Sequence, residues 1–144
     1  MNDLESVETL RLAMERVEQR AVYDTRTIEN LVRRAHRAAV AAGWYDPPKT
    51  DGEALLLIHS EISEATEEWR KGTPPVYVED ADGHPILWSE GMDKKPEGML
   101  IELADAVLRI ADLCGAKDWD LEAAIELKLA YNLTRSHRHG GKRA

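Results

Sequence analysis

The sequence predicts an all-α domain. Apolar residues recur every three or four positions in four separate segments, as one face of a helix requires. Residues that start and stop helices punctuate those segments. The chain has no Phe and only six Pro and nine Gly, too few turn residues for a strand-rich sandwich. Its 144 residues suit one domain with a single core, spanning 1–144. A 43% hydrophobic content argues against disorder throughout, and a 32% charged content fits helices with well-solvated faces.

Residues 1–24 form a candidate N-terminal helical arm with charge on most faces, suited to packing on a partner subunit. The first core helix is predicted over about Thr27 to Ala42, where Ile28, Leu31, Val32, Ala35 and Ala39 keep helical spacing; Gly43 is its expected C-terminal cap. Trp44-Tyr45-Asp46-Pro47-Pro48 reads as a rigid connector. The second helix starts near Gly52, with Thr50 and Glu53 fitting a capping box. Leu55, Ile58, Ile62, Ala65 and Trp69 form its apolar stripe, and Gly72, Pro74 and Pro75 stop it near Lys71. Residues 73–96 break the pattern. Val76-Tyr77-Val78 and Ile86-Leu87-Trp88 flank Asp80-Ala81-Asp82-Gly83, which reads as a short hairpin, a candidate lid or a plain solvated insertion. A third helix is expected from Pro96 to Leu113, ended by Gly115, and a fourth from an Asp118 N-cap to about His137. The tail, 138–144, is basic and turn-prone.

The net charge of −8 weighs against a general nucleic-acid binder, which needs a basic face. An acidic protein can still take a polyphosphate when divalent cations lie between the two sets of charge. Cys114 is the sole cysteine, so no internal disulfide forms. MNDLESVETL lacks the marks of a signal peptide, and no apolar run reaches membrane-span length. The expected location is cytoplasmic, with no membrane partner.

The chemistry concentrates in carboxylates. Positions three apart on a helix lie roughly 60° from one another, so Glu61 and Glu64 point the same way, with Glu68 between them. On the third helix Leu100, Leu103, Val107 and Ile110 form one apolar arc, and Ile101 and Leu108 a second. That pattern predicts burial on both sides. Glu102, Asp105, Arg109 and Asp112 fall between, within an arc of roughly 80°. Carboxylates in an apolar setting are costly unless paired or bound to metal. Mg²⁺ is the natural candidate, a hard cation that bridges carboxylates to phosphates, with Mn²⁺ as a substitute. Zinc lacks Cys or paired His ligands here, and neither pair has the Glu-x-x-His form of a di-iron site. Arg109 could instead neutralise the cluster as a plain ion-pair network.

A cationic counterpart lies downstream. Lys128, Asn132 and Arg135 share a narrow arc of the fourth helix, with Tyr131 at its edge, while Leu129 and Leu133 face another side and can join the core. Two cations and an amide match a nucleoside triphosphate: cations for phosphates, amide for sugar or base. A solvated basic face suited to the helix macrodipole is the plainer reading. His139, Gly140, Gly141 and Lys142 follow; glycines admit phosphate oxygens and Lys142 can reach them.

Glu61-Ile62-Ser63-Glu64, Glu102-Leu103-Ala104-Asp105 and Lys128-x-x-Tyr131-Asn132-x-x-Arg135, ending in His139-Gly140-Gly141-Lys142, together resemble the MazG-like all-α nucleoside triphosphate pyrophosphohydrolases. The resemblance covers about residues 27–142. It implies a MazG-like helical bundle completed by oligomerisation as a homodimer or homotetramer, with the 73–96 hairpin inserted between the second and third core helices. It also implies Mg²⁺ held by Glu61, Glu64, Glu102 and Asp105. The implied reaction converts a nucleoside triphosphate to the monophosphate and pyrophosphate, a nucleotide-pool sanitising activity. Some members carry a second Glu before the first motif residue, where this chain has Ser60, which leaves the number of metal ions and the general base open.

On this reading water attacks a phosphorus and pyrophosphate leaves. Glu61 or Glu64 orients or deprotonates that water. Lys128 and Arg135 hold the phosphates, Lys142 can reach them, His139 is assigned to substrate binding, and Asn132 contacts the nucleoside, with Tyr131 and Trp88 as candidate stacking surfaces. A dUTP- or phosphoribosyl-nucleotide hydrolase of the same superfamily is the nearer alternative, and a non-enzymatic helical oligomerisation module the more distant one.

Overall fold

The computed structural model describes residues 27–90 and 92–134, which hold four helices and one two-stranded hairpin. The chain divides into two units, residues 32–121 and residues 1–31 with 122–144. The expected arm (1–24), Arg135, His139, Lys142 and the basic tail lie outside the described residues.

Local chemistry sets the helix ends. Helix α1 (Ile28–Ala41) begins where the Thr27 hydroxyl accepts from the Asn30 N–H. It closes at Gly43, which sits at φ +82°, while the Trp44 N–H donates to the Ala39 carbonyl. Helix α2 (Asp51–Lys71) starts in the expected capping box: the Glu53 N–H donates to Thr50 Oγ1, and the Thr50 N–H to Glu53 Oε2 at 2.7 Å. Gly72, left-handed at φ +66°, ends it.

Two boundaries differ from expectation. Helix α3 (Met99–Lys117) runs straight through Gly115, and Asp118, in the left-handed region at φ 55°, is its C-cap. Asp118 is thus not the N-cap of the next helix, α4 (Leu121–Leu133). Gly115 belongs inside α3 because α1 crosses closely there; a Cβ would lie 2.6 Å from the His36 Cβ. At the other end of α3, Gly98 (φ +116°) is the N-cap, and a Cβ there would lie 2.5 Å from the Pro75 carbonyl oxygen. Pro96 therefore precedes the helix and is not part of its first turn.

The 32–121 unit is organised on α2 packed against α3. The two run antiparallel, since Asp51 at the start of α2 pairs with Lys117 at the end of α3, and Glu61 with Arg109 midway. Helix α2 buries Glu61, Ala65 and Glu68, spaced four and three apart; α3 buries Glu102, Ala106, Ala111, Asp112 and Cys114. This corrects the expected core. Ile62 and Trp69 of the supposed α2 core stripe are exposed, Trp69 by 69%, as are Leu100, Leu103, Val107, Leu108 and Ile110 of α3. Alanines at the crossing let the backbones approach, and the carboxylate face turns inward with them.

The insertion forms the expected hairpin. Strand β1 (Tyr77–Glu79) pairs antiparallel with β2 (Pro85–Leu87), in the register Tyr77–Leu87, Val78–Ile86 and Glu79–Pro85. Asp80 Oδ1 accepts from the Asp82 and His84 N–H groups, both at 2.9 Å, and Gly83 supplies the positive φ of the turn. The hairpin's root is tied to α2 through Glu68. Its carboxylate accepts from Lys71 Nζ (2.6 Å), Thr73 Oγ1 (2.8 Å) and Tyr77 Oη (3.0 Å).

In the other unit the Glu29 N–H donates to Glu122 Oε2, and Lys128 Nζ lies 5.1 Å from the Tyr131 ring centre. The 121–133 helix buries no residue. Leu129 and Leu133, expected to join the core, are exposed, Leu133 by 88%.

Burial alone would push the Glu68 carboxyl up, but its bonds from Lys71, Thr73 and Tyr77 outweigh that and hold it below the usual 4.5. A depressed folded value means stability that is present above the unfolded value and is lost as pH falls through the folded one. Glu68→Gln is expected to cost about 1–3 kcal/mol at pH 7. Urea unfolding should show that difference shrinking as the pH falls below 4.5.

Candidate metal centre

Three carboxylates converge between α2 and α3. Glu61, Glu64 and Glu102 each offer an oxygen, and these atoms all lie within 4.8 Å of one another. Glu61 and Glu102 are 5% and 6% exposed, and Glu64 sits at the rim. The i, i+3 spacing on α2 supplies two of them and the first turn of α3 the third.

Asp105, expected as a fourth ligand, lies outside that tight group yet feels it. Its carboxyl is pushed up by burial and then by Glu61, with Arg109 and Lys95 pulling the other way. Burial also raises Glu102, reinforced by Glu64, Asp105 and Glu61. The Glu102 carboxylate makes no hydrogen bond or direct ion pair among the described residues, although the Lys95 charge acts on it. Glu61 is different: its Oε1 accepts from Arg109 Nε, the ion-pair alternative realised at one position. Ser60, one position before Glu61, donates its hydroxyl to Glu64 Oε1 at 3.0 Å.

The donor set suits a hard divalent cation. All the converging atoms are carboxylate oxygens, matched to Mg²⁺ and poorly matched to zinc. Four carboxylates face the Arg109 guanidinium and the longer-range Lys95 charge, so the cluster keeps excess negative charge in a partly desolvated place.

Asp112 completes the expected acidic arc of α3 but does not join the cluster. Its Oδ1 accepts from Tyr45 Oη at 2.7 Å and lies 2.9 Å from His36 Nδ1; its Oδ2 accepts from Lys49 Nζ at 3.3 Å. Beside it opens a cavity of ≈ 350 Å³, walled by α1 alanines and Trp44, with Lys49, Asp105, Arg109 and Asp112 as its polar lining. Arg109 links cavity and cluster, its guanidinium carbon 5.5 Å from the Trp44 ring centre.

Trp44 and Lys49 were absent from the expected site. Their signal was present in the connector, where an aromatic pair is pinned by two prolines and followed by a cation. Trp88, the aromatic singled out instead, is exposed and does not line this cavity. Lys128, Tyr131 and Asn132 belong to the other unit. No protein-family model, curated protein or solved structure matches the chain.

The raised carboxyls give a stability test. A carboxyl whose folded value lies above its unfolded one keeps its proton longer in the folded state, so stability falls as pH rises through that window. Glu102→Gln should therefore melt roughly 2–5 °C higher than the parent at pH 8 in EDTA. The gain should vanish below the usual carboxylate range; a lower melting point at pH 8 would make Glu102 a structural group.

Proposed function

We propose that the chain is a Mg²⁺-dependent nucleotide pyrophosphohydrolase converting a nucleoside triphosphate to the monophosphate and pyrophosphate, in a nucleotide-pool sanitising role. The observation that carries this reading is Glu102, a buried carboxylate with no protein partner, facing two more carboxylates. A fold that buries such a group with no hydrogen bond or direct ion pair, and only the Lys95 charge acting at longer range, has left room for a cation.

Glu61, Glu64 and Glu102 would hold the ion, with Asp105 completing the set. Magnesium bound there supplies charge neutralisation at the phosphates and a more acidic water. The protein's own groups divide the remaining work. Glu61 has one oxygen committed to Arg109 and is buried. Glu64 accepts a hydrogen bond from Ser60 and is exposed at the rim, where a water can reach it, so it is assigned as the general base. The cavity beside Asp105 and Arg109 suits the nucleoside, because it adjoins the carboxylates and falls in the usual range for small-molecule pockets, roughly 300–1,000 Å³. Lys128, Tyr131, Asn132 and Arg135 stay assigned to the substrate on the sequence pattern, with His139 and Lys142.

The proposed assembly is a homodimer or homotetramer. Ile62, Trp69, Met99 and Leu103 line an apolar groove on the outer side of α2 and α3, where a second copy would exclude water. A dUTP- or phosphoribosyl-nucleotide hydrolase shares all these requirements. The Glu61–Arg109 pair is what a non-enzymatic helical module would display, but it leaves Glu102 unexplained. No helix among the described residues is long and apolar enough to cross a membrane.

A pyrophosphate-release screen over canonical and modified nucleotides tests the reading. Release should require Mg²⁺ and stop in EDTA. Glu102→Gln and Asp105→Asn should each lower kcat/KM by roughly 10²-fold. Unchanged turnover in both variants, or no release from any nucleotide at high protein concentration, overturns it.

A further inference from the structure

The polar groups lining the cavity are not equally available to a ligand. Asp112 is engaged by three protein donors, Tyr45, Lys49 and His36. Asp105 belongs to the proposed metal set. The acceptors on the wall are thus largely committed before a nucleobase arrives. The donors are in a different position. Lys49 commits one N–H to Asp112, and its remaining two have no hydrogen-bond partner among the described residues. Trp44 and Tyr45 hold the ammonium in place, their ring centres 5.2 Å and 5.0 Å away. Arg109 commits Nε to Glu61 and keeps its terminal N–H groups.

Both charges are also balanced, Lys49 by Asp112 and Arg109 by Glu61. A balanced donor set is a poor phosphate trap and a good partner for neutral carbonyl oxygens. The opposite wall is Ala35, Ala38, Ala39 and Ala42, small side chains that leave space beside α1. An exocyclic amine turned toward Lys49 would set donor against donor; a carbonyl there would be accepted.

Resting on the hydrolase reading above, we propose that this cavity takes the base and selects keto-bearing bases over their amino counterparts, with Lys49 as the specificity-determining residue. Uracil is then preferred to cytosine, and hypoxanthine to adenine. Within each pair the rings are close in size and the exocyclic group changes, so size selection does not produce the same pattern.

The test compares UTP with CTP and ITP with ATP, using the full chain with Mg²⁺. Each keto substrate should exceed its amino partner by about 10-fold or more in kcat/KM. Lys49→Met should bring both ratios to within about two-fold, mainly through a higher KM for UTP and ITP, and Lys49→Arg should keep the preference. Calorimetric titration of UMP and CMP in EDTA gives a readout independent of turnover, and UMP should bind more tightly. Should Lys49→Met fail to fold, the parent's own ratios and the UMP titration still decide. Equal use of UTP and CTP, a preference for CTP, or a preference that survives Lys49→Met overturns the inference and leaves the hydrolase reading standing. No turnover of any nucleotide overturns the hydrolase reading, and this inference with it.

Discussion

The face on which α2 meets α3 carries carboxylates where most helical pairs carry leucines, and much of the unit is arranged around that choice. Glu61 and Glu68 sit on the same buried strip as Ala65, opposite Glu102 and Ala106. The alanines bring the backbones close, and closeness is what drives the carboxylates together. Each ionised carboxylate taken out of water costs several kcal/mol unless something answers it. The structure answers them one at a time: Glu68 with three donors, Glu61 with Arg109, and Glu102 with no hydrogen bond among the described residues and only the Lys95 charge at longer range.

The same strip explains why the larger apolar side chains point outward. A helix that turns Glu61, Ala65 and Glu68 toward its partner must turn Ile62 and Trp69 away. The hairpin and the connectors then hold this orientation. Tyr77 reaches back to Glu68 and pairs its backbone with Glu97, just before α3. Gly98 lets the chain pass against Pro74 and Pro75, and Gly115 lets α1 lie close enough for His36 to reach Asp112.

What was legible in the sequence follows from this division. The capping box at Thr50, the left-handed Gly72 and the hairpin around Asp80 depend on neighbours within a few residues, and all three were readable. Helical spacing also put Glu61 and Glu64 on one face; their meeting with Glu102 across two helices was only what the family resemblance implied, since spacing within one helix does not say what it packs against. Periodicity does not say which face is inward. The Ile62 and Trp69 stripe was read as core on the ordinary rule that apolar residues are buried, and here an alanine-and-carboxylate face took that place. Gly115 and Asp118 were misread for a related reason: a glycine in a helix and a cap beyond it look alike until the crossing helix is known. Nothing in the spacing of Trp44 and Lys49 linked them to α3, since the α3 partners, Arg109 for Trp44 and Asp112 for Lys49, lie more than sixty residues away.

Asp112 and Glu102 make the most informative pair. Both are buried carboxylates on one helix, fewer than three turns apart, and a residue count would treat them alike. Asp112 is gripped by a phenol, an ammonium and an imidazole drawn from α1 and the connector. Such a group is part of the architecture, and removing it would strand its donors. Glu102 has no hydrogen-bonding partner for its carboxylate among the described residues; burial, then Glu64, Asp105 and Glu61, push its proton affinity up, and the Lys95 charge offsets that only in part. A group held in so unfavourable a state gains nothing for the fold by itself. A cation would give that environment a reason, and this asymmetry between two neighbouring acids, more than the presence of acids, is what favours the proposed cation site over a plain ion-pair network.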